Sequence, residues 1–286
     1  MKLDAKMMEE VEELIERALK EDIGDGDLTT EIVLQEPKYS KASIISKEDG
    51  VLAGIEIAES VFLNVDDTLE IKSYLEDGER FERETVLMRI KGNGGSMLTA
   101  ERCALNFLGR LSGIASFTDK FVKAVENTDA VILDTRKTTP TLRSIEKYAV
   151  RAGGGTNHRM GLFDHILVKD NHAVWAGGVS NAVKNVLRAI GKDRELFKVI
   201  VEVKNREEVE EAKVRGVDRI LLDNMAPEEV KEIRNDLPTS WEIEVSGGVN
   251  LENVRDYAEA GANFISIGAL THSPKTVDLS MRMDNV

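Results

Sequence analysis

The chain of 286 residues has one cysteine, five prolines and only 5% aromatic residues. The single cysteine, Cys103, cannot form a disulfide within the chain, and no spacing of cysteines and histidines resembles a zinc site. Every apolar run falls short of the roughly 18–20 residues that cross a bilayer, and the acidic first segment lacks the apolar stretch of a signal peptide. We therefore expect a cytoplasmic protein without membrane contact, in which any metal is held by oxygen ligands.

Basic residues are also scarce, because 38 Lys and Arg face 52 Asp and Glu and give a net charge of −14. A field of that sign repels a polyphosphate chain, so nucleic-acid binding is not expected. Residues 102–172 are the exception: eleven basic side chains outnumber seven acidic ones there, and three of the four histidines lie in this stretch. A cationic pocket that attracts a small polyanion explains this stretch; a chance cluster of surface charges is the alternative.

The first 115 residues mix helical and strand patterns. Apolar residues recur at helical spacing over residues 4–20, and the pattern stops at Gly24. Short β-like runs separated by glycine turns follow between residues 42 and 91. Residues 98–125 are helical again, and Gly109 and Gly113 are expected to divide or bend that helix. The pattern predicts an α+β domain.

From residue 130 onward, short β-branched runs alternate with amphipathic helical stretches. Six such runs begin at residues 130, 166, 199, 220, 243 and 264. The alternation predicts a parallel sheet with helical crossovers, and about 140 residues are too few for a complete eight-unit barrel. An incomplete parallel α/β barrel of six to seven strands is our first expectation, and a doubly wound sheet is the second.

Polar residues follow the predicted strands at the end where parallel α/β folds hold their chemistry. The first two runs lead into a cationic group, formed by Arg136, Lys137, His158, Arg159 and Lys169. Arginine binds a carboxylate through paired hydrogen bonds and lysine adds a point charge. The group therefore suits a compact dicarboxylate or a phosphate-rich ligand.

The next two runs end in carboxylates, Glu202 and Asp223. Two converging carboxylates can share Mg²⁺ or Mn²⁺, with water and substrate phosphates as the other ligands. The alternative is that each pairs with a neighbouring lysine, such as Lys169 or Lys204.

The last two runs end in Ser246-Gly247-Gly248 and Gly268-Ala269. Glycines let backbone N–H groups approach a phosphate closely, and two neighbouring glycine-rich strand ends are typical of a terminal-phosphate site in a barrel. Each pair of glycines alone is equally consistent with a tight turn.

Several segments, taken together, resemble the quinolinate phosphoribosyltransferase family. They are residues 21–30, 99–115, 134–140, 146–151, 157–162, 169–172 and 266–273, so the resemblance covers nearly the whole chain. It implies a type II phosphoribosyltransferase with two domains: an N-terminal α+β sandwich of residues 1–115, joined by residues 273–286, and an incomplete α/β barrel of residues 116–272. Thr141 and Ala152 depart from the family pattern, which more often has Gly and Cys there.

The resemblance also implies a reaction: the phosphoribosyl group of 5-phosphoribosyl 1-pyrophosphate is transferred to quinolinate with loss of CO₂, with Mg²⁺ or Mn²⁺ as cofactor. Lys137, Lys169, Glu202 and Asp223 are implied to be catalytic, the last two near the metal. A homodimer or higher oligomer is implied, in which Arg102 reaches the neighbouring protomer's site. The residues implied to bind the substrates are Arg102, Thr135, Arg136, Lys137, His158, Arg159, Lys169, Glu202, Asp223, Ser246, Gly247, Gly248, Gly268 and Ala269.

Three other functions stay open at this point. A phosphoribosyltransferase of the paralogous type associated with molybdenum transport shares the scaffold. A Schiff-base lyase would use Lys169 as its nucleophile. A noncatalytic sensor would bind nicotinate precursors without turnover.

Overall fold

The computed structural model describes residues 3–34, 36 and 38–284. Its strands are β1 Tyr39–Ser46, β2 Gly50–Val51, β3 Glu70–Ser73, β4 Arg80–Phe81, β5 Val86–Asn93, β6 Val131–Leu133, β7 Ile166–Val168, β8 Val199–Val203, β9 Arg219–Asp223, β10 Glu242–Ser246, β11 Phe264–Ser266 and β12 Leu279–Met283. Its helices are α1 Ala5–Ile23, α2 Leu28–Val33, α3 Ile55–Val65, α4 Gly94–Ala124, α5 Arg143–Ala152, α6 Asp170–Ala176, α7 Val179–Ile190, α8 Arg206–Ala212, α9 Pro227–Asp236, α10 Val254–Glu259 and α11 Ala269–His272, with a 3₁₀ helix at Gly191–Leu196. None of these helices is long and apolar enough to span a bilayer.

The first of two compact units contains the chain up to Asp119, residues Thr139–Gly154 and the chain from Ser273. Its antiparallel sheet has the order β12-β1-β5-β3, so the end of the chain pairs with β1. The predicted first helix is confirmed as α1, which ends at Ile23 and has Gly24 as its C-cap. The Asp4 side chain caps α1 by accepting a hydrogen bond from the N–H of Met7. The domain boundaries predicted from the sequence stay a proposal.

Helix α4 runs without a break from Gly94 to Ala124, so the expected division at Gly109 and Gly113 does not occur. A Cβ atom on Gly109 would lie 2.8 Å from the carbonyl oxygen of Val277, and one on Gly113 would clash with the carbonyl oxygen of Lys275. The two glycines therefore allow residues 275–277 to pack directly against the helix.

The second compact unit contains Lys120–Thr138 and Gly155–His272. All six predicted runs form strands, and they pair in parallel in the order β6-β11-β10-β9-β8-β7. Neighbours follow the chain from β7 to β11, and β6 then pairs with β11. Within the described residues no strand pairing joins β6 to β7, so the six strands do not close into a complete barrel. A doubly wound sheet would reverse its strand order near the middle, so that expectation is wrong and the incomplete barrel is confirmed with six strands.

Successive side chains of a strand point to opposite faces, which decides what reaches the end of the barrel. Leu167, Ile200 and Leu221 form a buried apolar cluster. Each of the three lies two residues before a polar residue, Lys169, Glu202 or Asp223. The three polar side chains therefore continue the face of this cluster at the carboxyl ends of the strands.

Candidate active site

A cavity of about 840 Å³ opens at the carboxyl ends of the parallel strands in the second unit. Every predicted binding residue except Arg102 lines it: Thr135, Arg136, Lys137, His158, Arg159, Lys169, Glu202, Asp223, Ser246, Gly247, Gly248, Gly268 and Ala269. Arg102 is exposed on α4 in the first unit. The other lining residues, which sequence reasoning missed, are Leu167, Asp170, Leu221, Asn224, Glu244, Val249, Ser266, Ile267 and His272.

Two arginines give the cavity its positive charge. Arg159 is only 7% exposed, and its Nη1 donates to the carbonyl oxygen of His165 at 3.3 Å. Burial first, and the charge of Arg136 second, lower the pKa of the Arg159 guanidinium. The Nε of Arg136 is buried and has no hydrogen-bond partner among the described residues. A buried donor without an acceptor costs about 1–3 kcal/mol, so this arrangement favours an anionic ligand.

Lys169 and Glu202 form an ion pair, with 3.0 Å between Nζ and Oε2. Glu202 is 8% exposed, whereas about half of the lysine side chain (48%) is exposed. Lys204 pairs instead with Asp170, at 2.7 Å. The sequence left open that each carboxylate pairs with a neighbouring lysine. Glu202 does pair with Lys169, whereas Asp223 has no lysine among its hydrogen-bond partners in the described part of the chain.

Asp223 accepts hydrogen bonds from the hydroxyl of Ser246 at 3.0 Å and from the amide of Asn224 at 2.8 Å. Asp223 and Glu202 lie at the ends of the paired strands β9 and β8. No group of three or more His, Cys, Asp and Glu side chains suited to a metal ion occurs in the described part of the chain. A pair of carboxylates suits Mg²⁺ only when substrate oxygens and water complete its coordination.

Glycines make room for neighbouring side chains at the last two strand ends. Gly247 and Gly248 have φ angles of 87° and 66°, in the left-handed region that favours glycine. A Cβ on Gly247 would clash with the amide of Asn224. A Cβ on Gly268 would lie 2.8 Å from Cδ of Lys137. Small residues at these positions keep the backbone open to the cavity.

The buried carboxylate Glu244 is the main residue that sequence reasoning missed. It is fully buried and bonds Arg219, His158 and Ser266. Burial alone would raise the pKa of Glu244, but the hydrogen bonds from His158 and Ser266 and the charge of Arg219 hold that pKa below its usual value. Because Glu242, Glu244 and Ser246 alternate along one strand, the period-two pattern was the signal that could have found it.

Known proteins provide an independent comparison. Residues 27–112 match the model of the quinolinate phosphoribosyl transferase N-terminal domain, and residues 114–282 match that of its C-terminal domain. The chain is 38% identical over 272 residues to a probable nicotinate-nucleotide pyrophosphorylase (carboxylating) of Bacillus subtilis, covering 95% of this chain and 93% of the relative. It is 38% identical over 291 residues to the mitochondrial quinolinate phosphoribosyltransferase (decarboxylating) 2b of Nicotiana tabacum, covering 96% and 82%.

A solved structure gives the same result for the fold. The crystal structure of NadC from Streptococcus pyogenes matches with a TM-score of 0.92 at 37% identity, and the match covers 99% of this chain and 98% of that one. The two family models together account for most of the sequence. The chain therefore belongs to the quinolinate phosphoribosyltransferase family.

Proposed function

We propose that the protein transfers the phosphoribosyl group of 5-phosphoribosyl 1-pyrophosphate to quinolinate and releases CO₂, forming nicotinate mononucleotide and pyrophosphate in NAD biosynthesis. Family membership supports this reaction. The observation that carries it at the site is the buried Nε of Arg136, which has no hydrogen-bond partner among the described residues. Arg136 lies near the buried Arg159, in the same cavity as two glycine-rich strand ends. The arginines suit a dicarboxylate, and the glycine-rich strand ends suit the phosphate of a sugar phosphate.

The two halves of the cavity divide the substrates between them. Arg136, Arg159 and Lys169 bind the quinolinate carboxylates, because guanidinium groups pair with carboxylates through two parallel hydrogen bonds. Thr135 and His158 line the same cavity and are adjacent in sequence to Arg136 and Arg159. The 5-phosphate binds at the other half, where its oxygens accept hydrogen bonds from the loops around Ser246, Gly247, Gly248, Gly268 and Ala269.

The chemistry then depends on alignment and charge. The pyridine nitrogen attacks the anomeric carbon as the bond to pyrophosphate breaks, so no general base is needed. Lys137 stabilises the negative charge that develops on the leaving pyrophosphate. The ribosylated ring nitrogen is positive and accepts the electron pair released when the adjacent carboxylate leaves as CO₂. A proton from solvent replaces the carboxylate on the ring carbon.

Glu202 and Asp223 would hold Mg²⁺ or Mn²⁺, since hard oxygen ligands suit both ions. When bound, the ion neutralises charge on the pyrophosphate group. Lys169 donates to Oε2 of Glu202 at 3.0 Å and the backbone N–H of Asp170 donates to Oε1 at 3.5 Å, so Glu202 would hold the ion beside these two donors. Excess chelator should abolish turnover and added Mg²⁺ should restore it; full activity in chelator would rule out the metal.

The direct test measures pyrophosphate and CO₂ from quinolinate and 5-phosphoribosyl 1-pyrophosphate. We expect equal amounts of the two products and almost none with Lys137→Ala. Quinolinate binding without turnover would instead support a sensor, and turnover of a different acceptor without CO₂ would support the paralogous type associated with molybdenum transport. Borohydride trapping of Lys169 would support a lyase, which the ion pair with Glu202 disfavours because it holds the amine against a carboxylate.

The assembly and location complete the proposal. We propose a homodimer or higher oligomer in which Arg102 of one protomer reaches the neighbouring protomer's cavity; the exposed position of Arg102 on α4 supports this. The cytoplasmic location stays a prediction from the sequence.

A further inference from the structure

His158 has both ring nitrogens bonded to protein groups. Its Nδ1 lies 2.6 Å from the backbone nitrogen of Arg159, and its Nε2 lies 3.2 Å from Oε1 of Glu244. A backbone N–H is always a donor, so Nδ1 must accept and carries no proton. Nε2 faces a carboxylate and must donate. The contacts therefore select the neutral tautomer protonated at Nε2, and His158 adds no positive charge to the cavity in this arrangement.

The carboxylate of Glu244 is itself held on its far side. Arg219 donates from Nη1 to Oε2 of Glu244 at 2.9 Å and from Nε to Glu242 at 3.0 Å. The guanidinium of Arg219 also lies 3.4 Å from the centre of the Phe264 ring. Arg219 is only 5% exposed, and Glu244 is fully buried. A charged carboxylate with these partners keeps one orientation, because any rotation would leave a buried charge unpaired.

The backbone at Asn157 and His158 is held from a second direction. Asp134, fully buried at the end of β6, accepts the backbone N–H of His158 at 2.8 Å and the amide of Asn157 at 2.6 Å. Asp134 thus holds the backbone, whereas Glu244 holds the ring. The next residue is Arg159, whose backbone N–H bonds the same ring. The position of Arg159 therefore depends on the orientation of the His158 imidazole.

We propose that Glu244 is a positioning residue, which fixes the neutral tautomer and orientation of His158 and thereby holds Arg159 in place for the anionic substrate. The consequence for substrate binding rests on the proposed function. Glu244 makes no contact with the reacting atoms in this role. Substitution by Gln conserves the shape of the side chain but replaces one acceptor oxygen by an NH₂ donor. In either orientation of the amide, this NH₂ group would face at least one of the donors His158, Ser266 and Arg219.

The first test observes the tautomer without any activity. Nitrogen-15 spectra of the wild-type protein with labelled histidine separate protonated from unprotonated ring nitrogens, and the His158 signals are assigned by their loss in His158→Gln. We expect a proton on Nε2 and none on Nδ1 at neutral pH. An imidazolium, or a proton on Nδ1, would overturn the proposal even if no Glu244 variant folds.

The second test separates positioning from general support of the fold. In Glu244→Gln we expect exchange between His158 tautomers and a KM for quinolinate raised about tenfold, with a smaller change in kcat, as for the loss of one hydrogen bond to a charged group. The matched control is Glu242→Gln, which removes the other carboxylate on Arg219 without touching His158; both parameters should stay within about twofold of wild type.

Two results of the second test would also overturn the proposal. One is a Glu244→Gln protein with wild-type His158 signals or wild-type KM; the other is equal damage by Glu242→Gln, which would mean that the Arg219 network only supports the fold. If the wild-type protein does not turn over quinolinate at all, the proposed function fails while the tautomer measurement still decides the role of Glu244.

Discussion

Asp77 in the first unit and Arg136 in the second bury their polar groups in different ways. In the first unit, Asp77 is 4% exposed and accepts three hydrogen bonds, from the N–H groups of Gly54 and Ile55 and from the hydroxyl of Tyr148. In the second unit, the buried Nε of Arg136 has no partner among the described residues. Both groups are shielded from water. The Asp77 carboxylate has protein hydrogen-bond partners, whereas the Nε of Arg136 has none among the described residues.

The partners also differ in charge. The two backbone N–H groups and the Tyr148 hydroxyl that donate to Asp77 are neutral, and burial, the largest influence, raises its pKa. Glu244 has the cationic Arg219 beside it, and its pKa is lowered despite its complete burial. The comparison teaches that burial alone does not mark a functional site. A buried group that the protein satisfies stabilises the fold, whereas the Nε of Arg136, which no described residue satisfies, belongs to a residue that lines the cavity at the strand ends.

The largest effect that this comparison predicts is on turnover. Arg159→Ala and Lys137→Ala should each lower kcat/KM by at least about 100-fold, since each removes a cation that faces the substrates. The free energy of unfolding of Lys137→Ala should stay close to that of wild type, because Lys137 is exposed. Arg159→Ala should lose about 1–2 kcal/mol, because the buried side chain and its hydrogen bond to His165 are removed. Urea unfolding and steady-state kinetics on the same preparations measure both, and Arg159→Lys is the control for charge without the paired hydrogen bonds. Near-normal kcat/KM in either alanine variant would remove that residue from the site.

A second prediction links the first unit to the cavity of a neighbouring protomer. Arg102→Ala and Lys137→Ala homodimers should each be nearly inactive. Mixing them should make about half of the dimers heterodimers, each with one intact site, so activity should recover to about a quarter of wild type. Capture of differently tagged subunits verifies the exchange. Verified exchange without recovery would show that Arg102 does not act across the interface.

A third prediction concerns Asp77, where the effect should fall on stability. Asp77→Ala leaves two backbone donors at the start of α3 and the Tyr148 hydroxyl without their acceptor, which should cost about 2–3 kcal/mol in free energy of unfolding. The kcat of the folded fraction should not change. Tyr148→Phe is the matched control: it removes one of the three donors, and we expect a loss of about 1 kcal/mol. A fall in kcat with unchanged stability would break the distinction between the two units.

The fourth prediction uses the opposite pKa directions of the two carboxylates. The raised pKa of Asp77 means that the folded protein keeps a proton that the unfolded chain has released, so relative to Asp77→Asn the wild type should gain stability as pH falls towards 3.8. The lowered pKa of Glu244 means the reverse. Relative to Glu244→Gln, the advantage of the wild type should be complete above 4.5 and be lost as pH falls below it. Urea unfolding across this pH range measures the stability of the wild type relative to each variant. If both differences changed in the same direction as pH falls, the opposite pKa shifts of Asp77 and Glu244 would be contradicted.

The smallest expected effect is a gain. Thr141 has a φ of 70°, a conformation in which a β-branched residue is strained. Thr141→Gly should raise the free energy of unfolding by about 0.5–1 kcal/mol. Glycine relieves the backbone strain of the folded state, and we expect this gain to exceed the loss from the greater conformational entropy of the unfolded chain. Thr141→Ala keeps Cβ and is the control; a gain as large as that of glycine would show that backbone strain is not the cause.

Local patterns predicted much of this structure correctly. The six β-branched runs became the six strands β6–β11, and thirteen predicted site residues share one cavity because parallel strands bring their carboxyl ends to one edge. The predicted division of α4 at Gly109 and Gly113 was wrong because the reason for these glycines lies far away in sequence. They contact the backbone of residues 275–277, which no local window includes.

The sequence by itself determined the strand and helix periods, the polar strand ends and the family motifs, since each depends on residues close together in the chain. Only the tertiary structure decided which groups became partners: Lys169 with Glu202, His158 with Glu244, and Arg136 with no acceptor for its Nε among the described residues. Lys169 and Glu202 are 33 positions apart, and a periodic pattern does not specify the distance or angle between such groups. Hydrogen bonds and charges act over a few ångströms, so their energies depend on the packing of strands that the chain brings together only when it folds.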